Sequence, residues 1–455
     1  MPGRSDLLFD ALPRLLRRGN KPGVRKMIDG AHAADIANVF RKLTEKQRST
    51  LFPLIDDLGK RSEVLCELDV DIAQEFLATI DDKMLVALLT EMGSDDAADL
   101  IDVLPEERRE NILHLLHQVG EPEVAELYNY DSQTAAGIMT PDVFALPDST
   151  PAGEAIKALQ DHSDSFEMSY YLYVTSAAGD LVGVLSLRQL VLGQPDVPIS
   201  DLMETDVVRV DIGTDQEDVA RLVARYNLLA IPVVDHTNKL VGAVTVDDII
   251  DVIRFEATED MLKMAGVGDE LDHSSTLSAA KARLPWLLAS FVGGNIAAIL
   301  IGLFGSSLAK VVPLAAFFPI VLGMGGNVGI QSATIVTRGI ALGRVDTSRL
   351  LSVVLREMII SVVCGFVYGS LLGVFAWWRY SESPLVESGM MFGATVGLAV
   401  AASMVIAATM GAAVPIAFER LHIDPALASG PFVTTSVDVL GITVYFGIAM
   451  MLLGI

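Results

Sequence analysis

The sequence predicts a multidomain membrane protein: an acidic all-α helical solenoid, an α/β module in two tandem copies, a linker helix, and an α-helical bundle of five transmembrane spans. Three observations predict it. Charge divides sharply along the chain, five long apolar runs crowd into its last part, and one β-α-β-β-α pattern occurs twice in the middle. The domains expected are residues 1–132 (helical), 133–200 and 201–252 (the two α/β copies), 253–280 (acidic linker helix) and 281–455 (membrane).

From Met1 to Asp272 there are 51 acidic and 24 basic residues, a net charge of −27; the remainder carries +2, giving −25 for the chain. A front part of that sign repels a phosphate backbone, so nucleic acid is excluded and cations are the expected partners. The two cysteines, Cys66 and Cys364, offer neither a disulfide framework nor a zinc spacing, which fits a reducing cytoplasm. No P-loop, nucleophile elbow or metal-hydrolase spacing points to an enzyme. The basic opening, MPGRSDLLFDALPRLLRRGNKPG, is interrupted by Asp6, Asp10 and Pro13 and reads as an amphipathic leading segment, not a targeting sequence.

Up to about Tyr130 the chain reads as short amphipathic helices, HAADIANVFRKL and SDDAADLIDVL among them, punctuated by Gly30, Gly93, Pro105, Gly120 and Pro122. Asp95 and Asp99 stand at i and i+4 on one helix face, with Asp96 and Asp102 nearby. Like charges at that spacing destabilise a helix unless a cation joins them. A solvated acidic face that also caps the helix at Ser94 is the alternative.

The repeat lies between about residues 139 and 252. Met139-Thr-Pro-Asp-Val opens one copy and Met203-Glu-Thr-Asp-Val the other, and GDLVGVLSLRQLV (179–191) matches NKLVGAVTVDDII (238–250). This pattern resembles a tandem pair of CBS domains, regulatory modules that pair through their sheets and sometimes bind ATP or another adenine nucleotide. The resemblance makes Tyr171 and Arg188 the nucleotide-contact candidates; a solvated charge at a helix start is the other reading of Arg188.

The following run, VDDIIDVIRFEATEDMLKMAGVGDE, holds Asp247, Asp248, Asp251, Glu256, Glu259, Asp260, Asp269 and Glu270. A cytoplasmic juxtamembrane segment that binds anionic lipid is basic, so this one has the wrong sign. Divalent cations would relieve its repulsion, which makes it the place to look for a cation-sensitive switch.

Residues 284–304, 311–337, 358–378 and 388–418 contain no charge, and 425–455 is apolar apart from Asp438 and is long enough to span. Lys281, Arg283, Arg338, Arg344, Arg349 and Arg420 flank one face of these spans, against Lys310 and Arg379 on the other. The positive-inside rule then places the N-terminal half in the cytoplasm and the C-terminus outside, in a multi-pass protein of the cell (inner) membrane. Pro313, Pro319, Gly323, Gly325, Gly326 and Gly329 crowd the second span beside Asn327, Gln331, Ser332 and Thr334. That predicts an opened helix lining a wet pathway, with tight packing through small residues as the alternative.

Asp438 is the sharpest signal, because a central aspartate costs about 2.5–3.5 kcal/mol on insertion scales unless a cavity, partner or ion receives it. Thr434 and Thr435, one turn earlier, and the backbone near Gly430 and Pro431 can offer oxygen. Protonation, or pairing with Arg356, would be the structural explanation instead.

Taken in order, these parts resemble the MgtE family of magnesium channels and transporters, on GMGGNVGIQSATIVTRGIALG, LREM, DPALASGPFVTTSVD and EATED. The resemblance implies a homodimer enclosing one pore, with Asp438 of both chains facing a hydrated Mg²⁺. It also implies closure by intracellular Mg²⁺ bound at Asp95, Asp99, Glu217, Asp248, Asp251, Glu256, Glu259 and Asp260. Asn227, Ile330 and Gly430 depart from the family pattern, at one sensor position and in the two pore motifs. Transport of Co²⁺ or Mn²⁺, or nucleotide sensing without transport, are the competing readings; oxygen-only ligands favour Mg²⁺.

Overall fold

The computed structural model describes residues 4–161, 171–267, 276–345, 350–428 and 430–454, which fall into two units, Met1–Arg254 and Phe255–Ile455. Asp269, Glu270 and Arg349 lie outside the described residues.

Ten short helices open the first unit: α1 (Arg4–Arg17), α2 (Lys21–Asp29), α3 (Ala33–Phe40), α4 (Glu45–Leu51), α5 (Leu58–Cys66), α6 (Val70–Leu77), α7 (Asp82–Leu89), α8 (Ser94–Asp102), α9 (Glu106–Val119) and α10 (Pro122–Leu127). Their brevity is written into the caps. Asn20, Asp57 and Asp81 accept backbone N–H bonds at three N-termini, Thr44 and Gln47 form a capping box, and Gly120 ends α9 at φ +101°. Alternate helices stack, α3 on α5, α5 on α7 and α7 on α9, as a solenoid requires. Phe40, Phe52 and Phe76 fill the layer between them, with the Phe52 and Phe76 rings stacked at 4.5 Å.

The repeat folds as two equivalent sheets. In the first, β1 (Ala145–Pro147) pairs parallel with β2 (Tyr171–Thr175), which pairs antiparallel with β3 (Leu181–Ser186); α11 (Ala152–Asp161) and α12 (Leu187–Leu192) accompany them. In the second, β4 (Val210–Asp211), β5 (Ala230–Val234) and β6 (Leu240–Thr245) repeat that order with α13 (Gln216–Tyr226) and α14 (Val246–Met264). Even the register irregularity recurs, at Val174/Thr175 and Val233/Val234. The copies meet through their turns, where the Leu181 amide donates to the Asn238 carbonyl and the Leu240 amide to that of Gly179. Tyr173, Leu181, Val234 and Ala243 form a small core shared by both.

The second unit contains α15 (Thr276–Leu303), the short α16 (Gly305–Lys310), α17 (Phe318–Ala341), α18 (Leu350–Tyr380), α19 (Gly389–Arg420) and α20 (Pro431–Leu453). Five stretches are long and apolar enough to cross a bilayer: Ala279–Leu303, Val312–Ala341, Leu350–Tyr380, Gly389–Arg420 and Pro431–Leu453. The most enclosed helix is α19, packed on α17, α18 and α20, while α15 and α18 turn residues such as Phe291, Phe366 and Trp378 outward as a lipid-facing surface does.

One expectation is corrected: α17 is an unbroken helix. Pro313 lies in a 3-10 turn ahead of it (Val312–Phe317) and Pro319 in its first turn, where a missing N–H costs nothing. Glycine here serves packing, since a Cβ at Gly325 would meet the Ser403 hydroxyl at 2.8 Å, and one at Gly329 the Val437 side chain at 3.1 Å. A Cβ at Gly411 would stand 2.3 Å from the Gly329 carbonyl, so α17 and α19 touch backbone to backbone. Gly411→Ala is therefore expected to destabilise the bundle by about 1–3 kcal/mol, seen as a lower thermal midpoint of the monodisperse peak in detergent. Gly302→Ala, whose added methyl meets nothing within 4 Å, should leave that midpoint in place.

Candidate cation sites

Within the first unit, α8 and the start of α14 bring negative charge to one small cavity. About 100 Å³ in volume, it is lined by Asp95, Asp96, Asp142, Asp247 and Asp248, together with Tyr173 and Thr140. Asp95 enters from the first turn of α8 and Asp248 from the first turn of α14. Burial raises the Asp95 carboxyl above the usual carboxylate range, opposed by its own and the Asp96 amide and reinforced by Asp247 and Asp142. Burial likewise pushes Asp248 up to about 7, against a hydrogen bond from the Thr245 hydroxyl and with help from Asp95, Asp247 and Asp96. Asp99, one turn further along α8 with an exposed side chain, is pushed up to about 6 by partial desolvation and then by Asp95 and Asp102. These groups lack positive charge, and a proton or a divalent cation is what would supply it.

Two members of this cavity were not legible in the sequence. Asp142 sits in the Met-Thr-Pro-Asp turn that marks the repeat, and its carboxylate accepts from the Ser94 hydroxyl at 3.4 Å. Tyr173 is on a core strand, and its buried hydroxyl has no hydrogen-bond partner among the described residues. Among those residues no three carboxylate, histidine or cysteine groups close on one point. The donor set is oxygen only and widely spread, which suits a hard cation that keeps its water, not one stripped and caged.

The other expected sensor residues stand elsewhere. Glu217 pairs with Arg221 at 3.3 Å along α13, and Asp251 with Arg254 at 3.3 Å on an exposed turn. Glu256, Glu259 and Asp260 follow on later turns of α14, all half-buried, and Glu259 pairs with Lys263 at 2.9 Å. Asn227, one of the departures, is the left-handed cap of α13 at φ 52°, a conformation asparagine adopts readily. Tyr171 and Arg188 line one cleft: with Ser186, Gln189 and Glu204 they surround about 470 Å³ beside β3.

In the second unit Asp438 is half-buried on α20, with no hydrogen bond or ion pair among the described residues. Arg356 is exposed on α18 and does not neutralise it. Thr434 donates its hydroxyl back to the Gly430 and Pro431 carbonyls, both at 3.2 Å, while a Cβ at Gly293 of α15 would run into Thr435. On α17, Asn327, Gln331, Thr334 and Arg338 are all exposed, at the spacing of one helical stripe, with Pro319 and Ile330 also exposed. The sequence reading overlooked Glu357, which is buried in α18 and accepts from the Ser332 hydroxyl at 2.9 Å. Its signal was a carboxylate at the edge of a charge-free run.

Comparisons with known proteins bear on the whole chain. The family model described as divalent cation transporter matches residues 318–448, that of the MgtE intracellular N domain residues 31–133, and that of the CBS domain residues 135–193 and 199–254. The magnesium transporter MgtE of Bacillus subtilis is 35% identical over 438 residues, covering 96% of this chain and 95% of its own. That of Thermus thermophilus is 33% identical, covering 97% and 98%. A crystal structure of the cytosolic domain of the Mg²⁺ channel MgtE in complex with ATP matches at 33% identity and a TM-score of 0.51, over 54% of this chain and all of that one. Similarity of this extent, running through helical, CBS and membrane parts in the same order, makes the chain a member of the MgtE family.

Proposed function

We propose that the chain is a Mg²⁺ channel of the cell membrane, built as a homodimer and closed by Mg²⁺ bound on its cytoplasmic side. The observation that carries the reading is Asp438, an aspartate in the last span without a counter-charge among the described residues. A group so placed repays its desolvation cost where a cation meets it, and otherwise sheds its charge by taking up a proton. Mg²⁺ dehydrates reluctantly, so two facing carboxylates would hold it with its water shell largely intact. The polar stripe Asn327, Gln331 and Thr334 supports the dimer, because such side chains on the outer face of a membrane unit need water or a second protein surface. Asp438→Ala should lower Mg²⁺ influx into proteoliposomes by roughly tenfold or more, about 1.4 kcal/mol in the barrier. Equal influx with and without the carboxylate would refute the pore assignment.

Closure is assigned to the acidic cavity of Asp95 and Asp248, with Asp99, Glu217, Asp251, Glu256, Glu259 and Asp260 as further ligands toward bridging ions. Without Mg²⁺ the folded chain holds protons on Asp248 and Asp99 more tightly than the unfolded chain does. Stability therefore falls as pH rises from about 4 through about 7. In chelator the full-length protein should melt higher at about pH 5.5 than at about pH 8, and the gain from millimolar Mg²⁺ should grow with pH as the ion replaces protons. Asp248→Asn should flatten both trends; a Mg²⁺ effect independent of pH and of this residue would place the sensor elsewhere.

A nucleotide reading is favoured by one observation, the convergence of Tyr171 and Arg188 on a single cleft. An adenine ring on Tyr171 and phosphates near Arg188 would use stacking and charge in the ordinary way. Calorimetric titration with ATP should give binding that Arg188→Ala weakens about tenfold, and no heat from the parent protein would remove ATP from the account.

A further inference from the structure

The second unit contains a cation of its own. Lys263, on the last turn of α14, places its ammonium 2.9 Å from Glu259 Oε1 and 2.8 Å from Asp424 Oδ2. These side chains are 21%, 16% and 32% exposed, against 79% for both partners of the Arg254–Asp251 pair. Pairs withdrawn from solvent to this degree are screened less than exposed ones and depend more on each partner. Burial opposes the lysine charge, yet the hydrogen bonds to Asp424 and Glu259 outweigh it and hold Lys263 above its ordinary range.

Asp424 belongs to the loop that leads into the pore helix. Its second oxygen, Oδ1, accepts from the Ala426 amide at 2.8 Å and so fixes the 3-10 turn Pro425–Ala428. That turn packs on α17, α19 and α20, and the Thr337 hydroxyl donates to its Pro425 carbonyl at 3.3 Å. Six residues beyond Asp424, a Cβ at Gly430 would lie 3.5 Å from the Met264 carbonyl and 3.8 Å from that of Lys263. Gly266, at φ +69°, turns the chain against Trp286 and Pro431. The end of α14 thus rests on the foot of α20, and Lys263 is the ionic link that holds it there.

We propose that Lys263 is a built-in cation that fastens the linker helix to the loop before α20, setting how tightly the pore entrance at Gly430 is covered when Mg²⁺ is scarce. It is a positioning residue, acting through Asp424, and the inference rests on the reading of α20 as the pore helix. With the ammonium in place, Glu259 and Asp424 are bridged and half of their charge is cancelled without any ion from solution. Without it they face each other as bare carboxylates, which repel until a divalent cation arrives.

The test is Mg²⁺ influx into proteoliposomes of the full chain, at vanishing and at millimolar Mg²⁺ on the cytoplasmic face, for the parent, Lys263→Met, Lys263→Arg and Asp424→Asn. Lys263→Met should raise influx at vanishing Mg²⁺ by about threefold or more, and millimolar Mg²⁺ should suppress the excess. Lys263→Arg should stay near the parent, because a guanidinium spans the same two carboxylates. Asp424→Asn should reproduce the rise, which keeps the test decisive where the methionine variant folds poorly. Parent-like influx in both Lys263→Met and Asp424→Asn, or an excess indifferent to Mg²⁺, would overturn the proposal. A parent that conducts no Mg²⁺ would instead strike at the channel reading itself.

Discussion

Negative charge that water no longer shields is the constraint on which this protein depends. A folded chain can meet it in three ways: a fixed basic side chain, a proton, or a cation from solution. The structure shows the first directly, and the other two belong to the proposed roles of the acidic cavity and of Asp438. In the helical domain arginines do it, Arg48 with Glu75 at 2.6 Å and Arg108 with Asp82 at 2.9 Å, and their remaining N–H groups close on the Phe40, Leu77 and Ile80 carbonyls. Such partly buried networks, in which one arginine meets a carboxylate and backbone carbonyls at once, tie helix to helix at fixed geometry. They make the solenoid stiff without any dissolved ion.

Around Asp95 and Asp248 that provision is withheld. The cavity is lined by five aspartates, and neither arginine nor lysine is among its lining residues. Burial therefore raises Asp95 and pushes Asp248 up to about 7, where small changes in free cation or proton decide the state of Asp248. For the proposed sensor such weak holding would be useful, since a conformation stabilised by several weakly held ions responds over a narrow range of concentration.

Much of this was legible from residues alone, and the limits follow from physics. The five spans were visible because a hydrocarbon layer demands about 20 apolar residues in a row, and the duplicated module because its turns and strands recur at matching positions. Asp438 was conspicuous through its cost. Pairings between distant residues were not: nothing in the order of residues joins Lys263 to Asp424, 161 positions away, or Asp142 to Ser94. Glycine in α17 misled for a related reason. The same residue opens a backbone or lets two backbones touch, and only the neighbour across the contact, Gly411 or Val437, decides between them.

If Asp438 faces the permeating ion as proposed, its contrast with Lys263 explains why a tethered cation suits one place and a mobile one the other. An ammonium on a four-carbon stem can bridge Glu259 and Asp424 and cancel half their charge because nothing has to travel through that joint, and the charge stays where the covalent chain puts it. The same arrangement beside Asp438 would fill the conduit with its own counter-ion, and a hydrated divalent cation would be repelled. A pore carboxylate must therefore remain unpaired by the protein and be repaid only by what passes. On the proposed reading of Asp438 the last span carries its cost openly, and the end of α14 beside Gly430 would guard a site that is attractive to cations.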